Sequence, residues 1–489
     1  MSEKLNWGIL GCGNIAKKFA KGVAAANSGR LLAAASRSGD RAAKFAAEFG
    51  AERHYAGYEE LLADDQVQAV YVATPHPMHP RWTVAAAEAG KHVLCEKPLA
   101  INHGEAMQAV EAAERCGVFL MEAFMYRCHP QMARVVELIR SGAIGEVRFV
   151  RAAFGFAAGF NPEGRLFSNA LGGGGILDVG CYPVSFARLV AGAAAGKDFA
   201  EPEEVKAVGR LTETGVDAWT AATLRFAGGM VAEVSTAVQV QLVNEAEVFG
   251  SEGRIRVPQP WQPGRFGPPK ILVHRKGAEA PEEIETGAGD IYAMEADAVA
   301  ENVAAGRVSA LSPAMSWEDS LGNARVLDAW RAEIGVSYEP ETPEGSRPVR
   351  GTKLAVRPGE VMKYGELPGV EKKISRLVMG VDNQREFPHA AAMFDAFFER
   401  GGNCFDTAWV YGGGLLERNL GAWLSSRGVR EEVVVLDKGC HTPENRPDRF
   451  MPQLEQSLER LGTDYVDIYM LHRDNEDVPV GEWIEALNE

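Results

Sequence analysis

Gly11, Gly13 and Ala16 in the segment "WGILGCGNIA" form a G-x-G-x-x-A run with a specific chemical use. Gly11 permits a tight turn, Gly13 lets a pyrophosphate approach the backbone, and the small Ala16 lets a helix pack closely on a strand. With Asn14 and Ile15 between them, these residues are expected to hold a dinucleotide; the alternative is a plain Gly-rich turn. The segment "AASRSGDR" narrows the cofactor. An acid at the end of the second strand bonds a ribose 2′-hydroxyl, whereas an arginine there receives a 2′-phosphate. Ser36, Arg37 and Ser38 occupy that place with Arg41 close behind, and the planar fork of Arg37 suits phosphate. NADP is therefore expected ahead of NAD. Further on, "VLCEKPLA" sets Glu96, Lys97 and Pro98 directly after an apolar strand. Ligands of parallel α/β sheets bind beyond the carboxyl ends of the strands, so this charged pair either faces a crevice or forms a surface salt bridge.

A second set of chemically capable residues lies far downstream. "CFDTAWVYGGGLLERNLG" carries Asp406 and Tyr411, "VVVLDKG" carries Lys438, and "DYVDIYMLHRDN" carries His472. Each polar residue closes a βα unit at the end that forms the catalytic face of a (β/α) barrel. Four strands converging on Asp, Tyr, Lys and His are hard to explain as ordinary core.

The elements that must position these residues follow from periodicity. At 489 residues the chain exceeds one ordinary core, since domains hold roughly 100 to 200 residues. Short apolar strands alternate with amphipathic helices over residues 5 to 120, the rhythm of a doubly wound parallel sheet. After about residue 146 the period becomes two, as in "AATLRFAGGMVAEVSTAVQVQLVNEAEVFG", predicting a largely antiparallel sheet with one buried face. Helical spacing returns in "YAMEADAVAENVAAG" and "SWEDSLGNARVLDAWRAEIG". The expected organisation is an α/β Rossmann domain over 1–125 and an α+β open-sheet substrate domain over 126–340, its last helix returning to the first domain. A Pro-, Gly- and charge-rich linker follows over 341–361, and a partial (β/α)8 barrel over 362–489. That last unit has 128 residues, about half of the ~250 that a full barrel needs. The reading from the sequence is a fragment of a longer fusion, the alternatives being completion by a second polypeptide or a degenerate appendage.

Composition excludes several partner classes. Lys plus Arg number 51 against 67 Asp plus Glu, a net charge of −16 that repels nucleic acid and anionic membrane surfaces. No apolar run approaches the ~20 residues that span a bilayer, and no leader-like segment opens the chain, so a cytoplasmic location is expected. Seven cysteines without a CxxC pair read as reduced core residues. His129 beside Cys128 lacks companions to complete a metal site, and no metal is assigned.

Taken together, residues 11–16, "YVATPHPMH" at 71–79, "CEKPLA" at 95–100 and "GGGILDVGCYPV" at 173–184 resemble the glucose-fructose oxidoreductase (Gfo/Idh/MocA) family over about residues 5 to 340. "SRSGDRAAKFA", "FLMEAFMYRCHPQ" and "ETGVDAWTAATLRF" look most like its NADP-dependent dimeric dihydrodiol and D-xylose dehydrogenase branch. The resemblance implies that Lys97 sits between nicotinamide ribose and substrate, with Asp178 and Tyr182 lining the same pocket. Many relatives have His where this chain has Tyr182, and a phenol of ordinary pKa ~10 can serve as base if a neighbouring ammonium, here Lys97, lowers it. The resemblance further implies Thr74, Pro75, His79, Glu96 and Glu122 near the cofactor, Arg127 and Arg165 near the substrate, and a homodimer or higher homo-oligomer through the open sheet. Residues 362–489 resemble the N-terminal half of the aldo-keto reductase family. Its tetrad falls on Asp406, Tyr411, Lys438 and His472, with Tyr411 as proton donor.

The function expected is NADP-dependent hydride transfer between the nicotinamide and a sugar, polyol or cyclic vicinal diol, as one half of a fusion with an aldo-keto reductase. Two alternatives use the same fold: a redox-neutral glycosidase or isomerase that oxidises its sugar transiently, and a dinucleotide-binding sugar sensor without turnover.

Overall fold

The computed structural model describes residues 4–489, which divide into two compact units meeting between Tyr338 and Glu339. The first unit opens with six parallel strands: β1 (Leu5–Leu10), β2 (Gly29–Ala35), β3 (Arg53–Tyr55), β4 (Ala69–Val72), β5 (His92–Glu96) and β6 (Leu120–Ala123). Their order is β3-β2-β1-β4-β5-β6, so the chain reverses direction across the sheet between β1 and β4. That reversal opens a crevice at the carboxyl ends of β1 and β4, where a dinucleotide fits. β1, β4 and β5 are buried along almost their whole length because helices cover both faces of the sheet.

The second sheet has eight strands: β7 (Val147–Gly155), β8 (Pro202–Leu211), β9 (Asp217–Phe226), β10 (Val231–Ala237), β11 (Ala246–Gly250), β12 (Gly253–Val257), β13 (Lys270–Arg275) and β14 (Glu282–Glu285). The order β14-β13-β12-β11-β7-β10-β9-β8 is antiparallel except where β7 runs parallel to β10. One face carries Val150, Ala152, Leu224, Val234 and Val248 into the core. The other face is open on β8, which has no buried residue, and on β9, which alternates buried with more exposed residues as its two-residue period predicts. Within Asn169–Ala194, long and apolar enough by composition to cross a membrane, the most apolar 18-residue window is buried inside this unit. Helix Ile291–Ala304 returns to pack on helix Asn14–Ala25, where a side chain on Gly22 would collide with Tyr292.

The second unit contains a short antiparallel pair, β15 (Tyr364–Gly365) with β16 (Ile374–Ser375), and four parallel strands in sequential order: β17 (Val378–Gly380), β18 (Cys404–Asp406), β19 (Val434–Gly439) and β20 (Ile468–Leu471). This is the βα progression expected of a barrel, with four strands among the described residues where a complete barrel has eight. The segment 341–361, expected as a free linker, is instead part of this unit. Leu354 lies in its core, Arg357 pairs with Glu399, and Ser346 Oγ accepts from Arg427 at 3.2 Å. Its Pro, Gly and charge content disguised anchors whose partners lie decades of residues away.

Candidate active site

Almost every residue singled out in the first unit opens on one cavity of about 1190 Å³ between the two sheets. At one end stands the Gly-rich turn. Gly11 has φ +98°, and a Cβ there would lie 2.6 Å from the Ala73 carbonyl oxygen, so only glycine fits. Around Gly13 a Cβ would meet nothing within 4 Å, and helix Asn14–Ala25 has no side-chain cap over its free N–H groups. The helix terminus is thus an open anion-binding site. Asn14 and Ile15 line the cavity beside it, while Ala16 is buried between helix and sheet. Ser36, Arg37, Ser38 and Arg41 border the same cavity. Ser38 also caps helix Gly39–Phe49, accepting from Arg41 N at 3.4 Å.

The other end is built around Lys97, at the carboxyl end of β5. Its Nζ donates to the Asp178 backbone oxygen at 2.6 Å and lies 3.7 Å from the Asp178 carboxylate. Arg165 donates to the same carboxylate at 2.9 Å, and its other nitrogen meets His76 Nε2 at 3.3 Å. His76 Nδ1 in turn lies 2.9 Å from Gly172 O, which makes Nδ1 the protonated nitrogen and leaves Nε2 to accept from Arg165. Burial, with Arg165 second, holds His76 neutral well below its ordinary range. Burial also raises the Asp178 carboxyl, but the Lys97 and Arg165 cations outweigh it and bring it to about 2. Asp178 is therefore ionised and His76 neutral throughout the neutral range.

The sign of this shift gives a prediction. A carboxyl depressed from its usual value of about 3.9 contributes stability that is present above that value and lost as pH falls through its folded value. The difference in urea midpoint between the native chain and Asp178→Asn is expected to be largest above pH ~4 and to shrink toward pH ~2. A difference that grows on acidification would contradict the assignment.

Asp178 owes its position to a single turn of π-helix, Ile176–Gly180, immediately before helix Cys181–Ala194. Such bulges re-aim a side chain that a regular helix would turn elsewhere. Tyr182 follows one turn later and sits among Phe124, Phe154 and Trp261, with ring centroids 5.1 to 6.0 Å away. The expectation that Lys97 lowers the Tyr182 phenol is overturned. Lys97 Nζ stands over the ring face, 5.5 Å from its centroid, and the hydroxyl contacts Met125 Sδ at 3.5 Å. Burial in this aromatic shell pushes the phenol well above its ordinary value, so Tyr182 is held protonated.

Two other expected site residues lie away from the cavity. Arg127, expected at the substrate, is wholly buried; it pairs with Asp319 at 2.7 Å and donates to Ser185 Oγ at 2.7 Å. Glu122, expected at the cofactor, is buried and accepts from Leu99 N at 2.9 Å, supporting the turn after Lys97 from behind. Thr74, Pro75, His79 and Glu96 do line the cavity. His79 lies between Pro98 O and Thr74 O, each 2.7 Å from a ring nitrogen, and burial lowers it to about 4. Glu96 accepts from the Tyr71 hydroxyl and from Lys97 N.

Sequence reasoning missed His76, although it stands inside the quoted "YVATPHPMH", and missed the cavity wall formed by Phe154, Gln241, Asn244, Trp261 and Arg265. The only signal for that wall was the Pro- and Gly-rich run "VPQPWQPGRFGPP" between two strands.

The second unit brings its four residues together. Lys438 pairs with Asp406, its Nζ stands 5.1 Å from the Tyr411 ring centroid, and the Tyr411 and His472 rings meet edge-on at 5.6 Å. Burial and the neighbouring His441 lower His472.

Comparison with known proteins agrees with this geometry. Residues 5–124 match the model described as "Oxidoreductase family, NAD-binding Rossmann fold", and 132–256 match the GFO/IDH/MocA C-terminal domain. The trans-1,2-dihydrobenzene-1,2-diol dehydrogenase of Mus musculus is 34% identical over 341 residues, covering 68% of this chain and 98% of its own. The chain belongs to the Gfo/Idh/MocA oxidoreductase family. The D-xylose 1-dehydrogenase (NADP(+)) 2 of Haloferax volcanii is 33% identical, with 68% of this chain and 99% of the relative covered. A solved 3-ketoreductase of Actinomadura kijaniata, in complex with NADP and TDP-benzene, is 32% identical with a TM-score of 0.61, covering 68% of this chain and 98% of its own. Residues 378–489 match the Aldo/keto reductase family, so this Gfo/Idh/MocA chain carries an aldo/keto reductase region beyond the length of those relatives. The protein is an NAD(P)-dependent oxidoreductase acting on CH–OH groups.

Proposed function

We propose that the first unit transfers hydride between NADP and a CH–OH carbon of a sugar, polyol or cyclic vicinal diol. The observation that carries this reading is the one cavity onto which Gly11, Gly13, Arg37, Lys97, Asp178 and Tyr182 all open. The residues fit NADP: the uncapped helix terminus at Gly13 suits the pyrophosphate, and Arg37 with Arg41 suits a 2′-phosphate. The NADP named for the Haloferax and Actinomadura proteins supports the same choice. Bound there, NADP supplies the hydride donor or acceptor. The chain's own part is to hold the reacting oxygen and its proton. Lys97 Nζ, anchored by Asp178, and the Tyr182 hydroxyl both stand at the cavity, which suits them to bond the reacting oxygen and to exchange its proton, given to a carbonyl as hydride leaves NADPH and taken back from the CH–OH group as hydride passes to NADP. Phe124, Phe154 and Trp261 keep the Tyr182 side chain itself largely out of water.

The test is the full chain with NADP and a panel of aldoses, deoxy sugars and trans-dihydrodiols, read by NADPH absorbance. Net NADPH accumulation with one class supports a dehydrogenase. Product formation without it would identify the redox-neutral alternative, and NADP binding without any turnover would identify a sensor.

We read the second unit as a second oxidoreductase module in fusion with the first. Its tetrad belongs to a different fold, so Tyr411→Phe is expected to leave the NADPH-forming rate at the first site unchanged within about twofold, well below the 10²-fold scale of losing a proton donor. We place a homo-oligomer contact on the open face of β8 and β9, where Val208 and Trp219 are exposed.

A further inference from the structure

Asp217, the first residue of β9, is fully buried yet outside the cavity. Its Oδ2 accepts from Ile176 N at 2.9 Å, the first residue of the π-helical turn that carries Asp178. The other oxygen presses on Gly174, where a Cβ would fall 2.3 Å away, and Gly174 has φ +99°. Two further bonds tie the same glycine segment: Thr236 Oγ1 donates to Gly175 O at 3.1 Å, and Tyr338 Oη donates to Gly173 O at 2.8 Å. The segment thus has no side chains of its own and takes its shape from three residues on other elements. It also spans the two arms of the site, because Gly172 O holds His76 on one side and Asp178 follows on the other.

We propose that Asp217 is a positioning residue: its carboxylate holds the Gly174–Ile176 turn and so sets where Asp178 and Tyr182 stand relative to Lys97. The free N–H groups at the start of a helix want an acceptor, and a carboxylate there also opposes the positive end of the helix dipole. Burial of this carboxyl, only partly offset by the backbone donors, raises it to about 7. Burying such a group costs stability that an apolar residue would not, so its place is explained by what it holds. The claim uses the function proposed above only in naming Asp178 and Tyr182 as site residues.

The experiment compares Asp217→Ala, Asp217→Asn and Thr236→Val in the full chain, by amide hydrogen exchange over residues 174–182, by NADP dissociation constant and by kcat. Asp217→Ala is expected to speed exchange of this segment at least ~10-fold and to lower kcat roughly 10- to 100-fold, the scale of a small misplacement. NADP affinity stays within about threefold, because the turn at Gly11 is untouched. Asp217→Asn keeps an acceptor for Ile176 N and is expected to restore both readouts to within about threefold. Unchanged exchange in Asp217→Ala overturns the proposal, as does Asp217→Asn being as damaging as the alanine variant. Should Asp217→Ala fail to fold, Thr236→Val decides: it removes the tie to Gly175 O, and exchange of 174–182 must rise by a smaller factor or the proposal falls. If the native chain shows no turnover on any substrate, the functional reading fails, while the exchange measurements still decide the role of Asp217.

Discussion

Lys97→Met lowers kcat for NADPH formation by roughly 10²- to 10⁴-fold, the span that a positioned proton-transfer group contributes, and leaves NADP affinity within a few-fold. The first effect follows from the lysine's place: Nζ lies 3.7 Å from the Asp178 carboxylate and stands over the Tyr182 ring. The second follows because the residues proposed for the pyrophosphate and 2′-phosphate are Gly13, Arg37 and Arg41, which line the cavity independently of Lys97. Methionine keeps most of the stem and its packing, so the variant isolates the charge. Steady-state kinetics with a nucleotide titration check it. A variant that loses affinity and rate in parallel would show that Lys97 acts by holding the cofactor, and full activity would remove it from the chemistry.

Gly11→Ala is expected to weaken NADP binding by at least ~30-fold and to lower the melting temperature by several degrees. A residue with a side chain is disfavoured at φ +98° by about 1 to 2 kcal/mol. The new methyl group would also meet the Ala73 carbonyl at 2.6 Å, a backbone atom that cannot step aside alone. Relief must push the β1 turn away from the β4 turn, which moves Thr74 and Pro75 at the cofactor cavity together with the uncapped helix terminus. Fluorescence titration with NADPH, beside thermal unfolding, measures both. Affinity within threefold of the native chain would mean that the turn does not grip the cofactor.

The two experiments separate the ends of one cavity, and Asp217→Ala addresses the scaffold behind it. Together they distinguish a chain that binds but does not react from one that reacts but does not bind. That distinction matters here because the sensor alternative binds the dinucleotide without turnover.

How much of this was legible in the sequence depends on how local each constraint is. The G-x-G-x-x-A turn is six residues long, and its demands on φ, on backbone access and on packing are met within it; the same holds for Glu96-Lys97-Pro98 at the end of one strand. The alternation of β9 and the βα rhythm of the second unit report burial through periodicity alone. These features and the order of the folds were determined by the sequence itself. Arg127 and Glu122 were different. Each stands in a stretch rich in family resemblance, but what they do is set by Asp319, 192 residues from Arg127, and by Leu99 N across a turn. Burial converted both from candidate ligand contacts into supports. The segment 341–361 reads as a linker by composition and is fastened by Glu399 and Arg427, which composition does not register.

Tyr182 shows the limit most plainly. Its residue type and its neighbour Lys97 suggested a lowered phenol, because charge proximity is easily imagined from two names. Only the tertiary structure decides that the ammonium faces the ring and the hydroxyl faces Met125, and that the aromatic walls of Phe124, Phe154 and Trp261 make desolvation the dominant effect. Sequence sets which groups are available and the local turns that present them. The fold decides their distances and their exposure to water, and with those their protonation, since electrostatic energies depend on separation and dielectric rather than on identity.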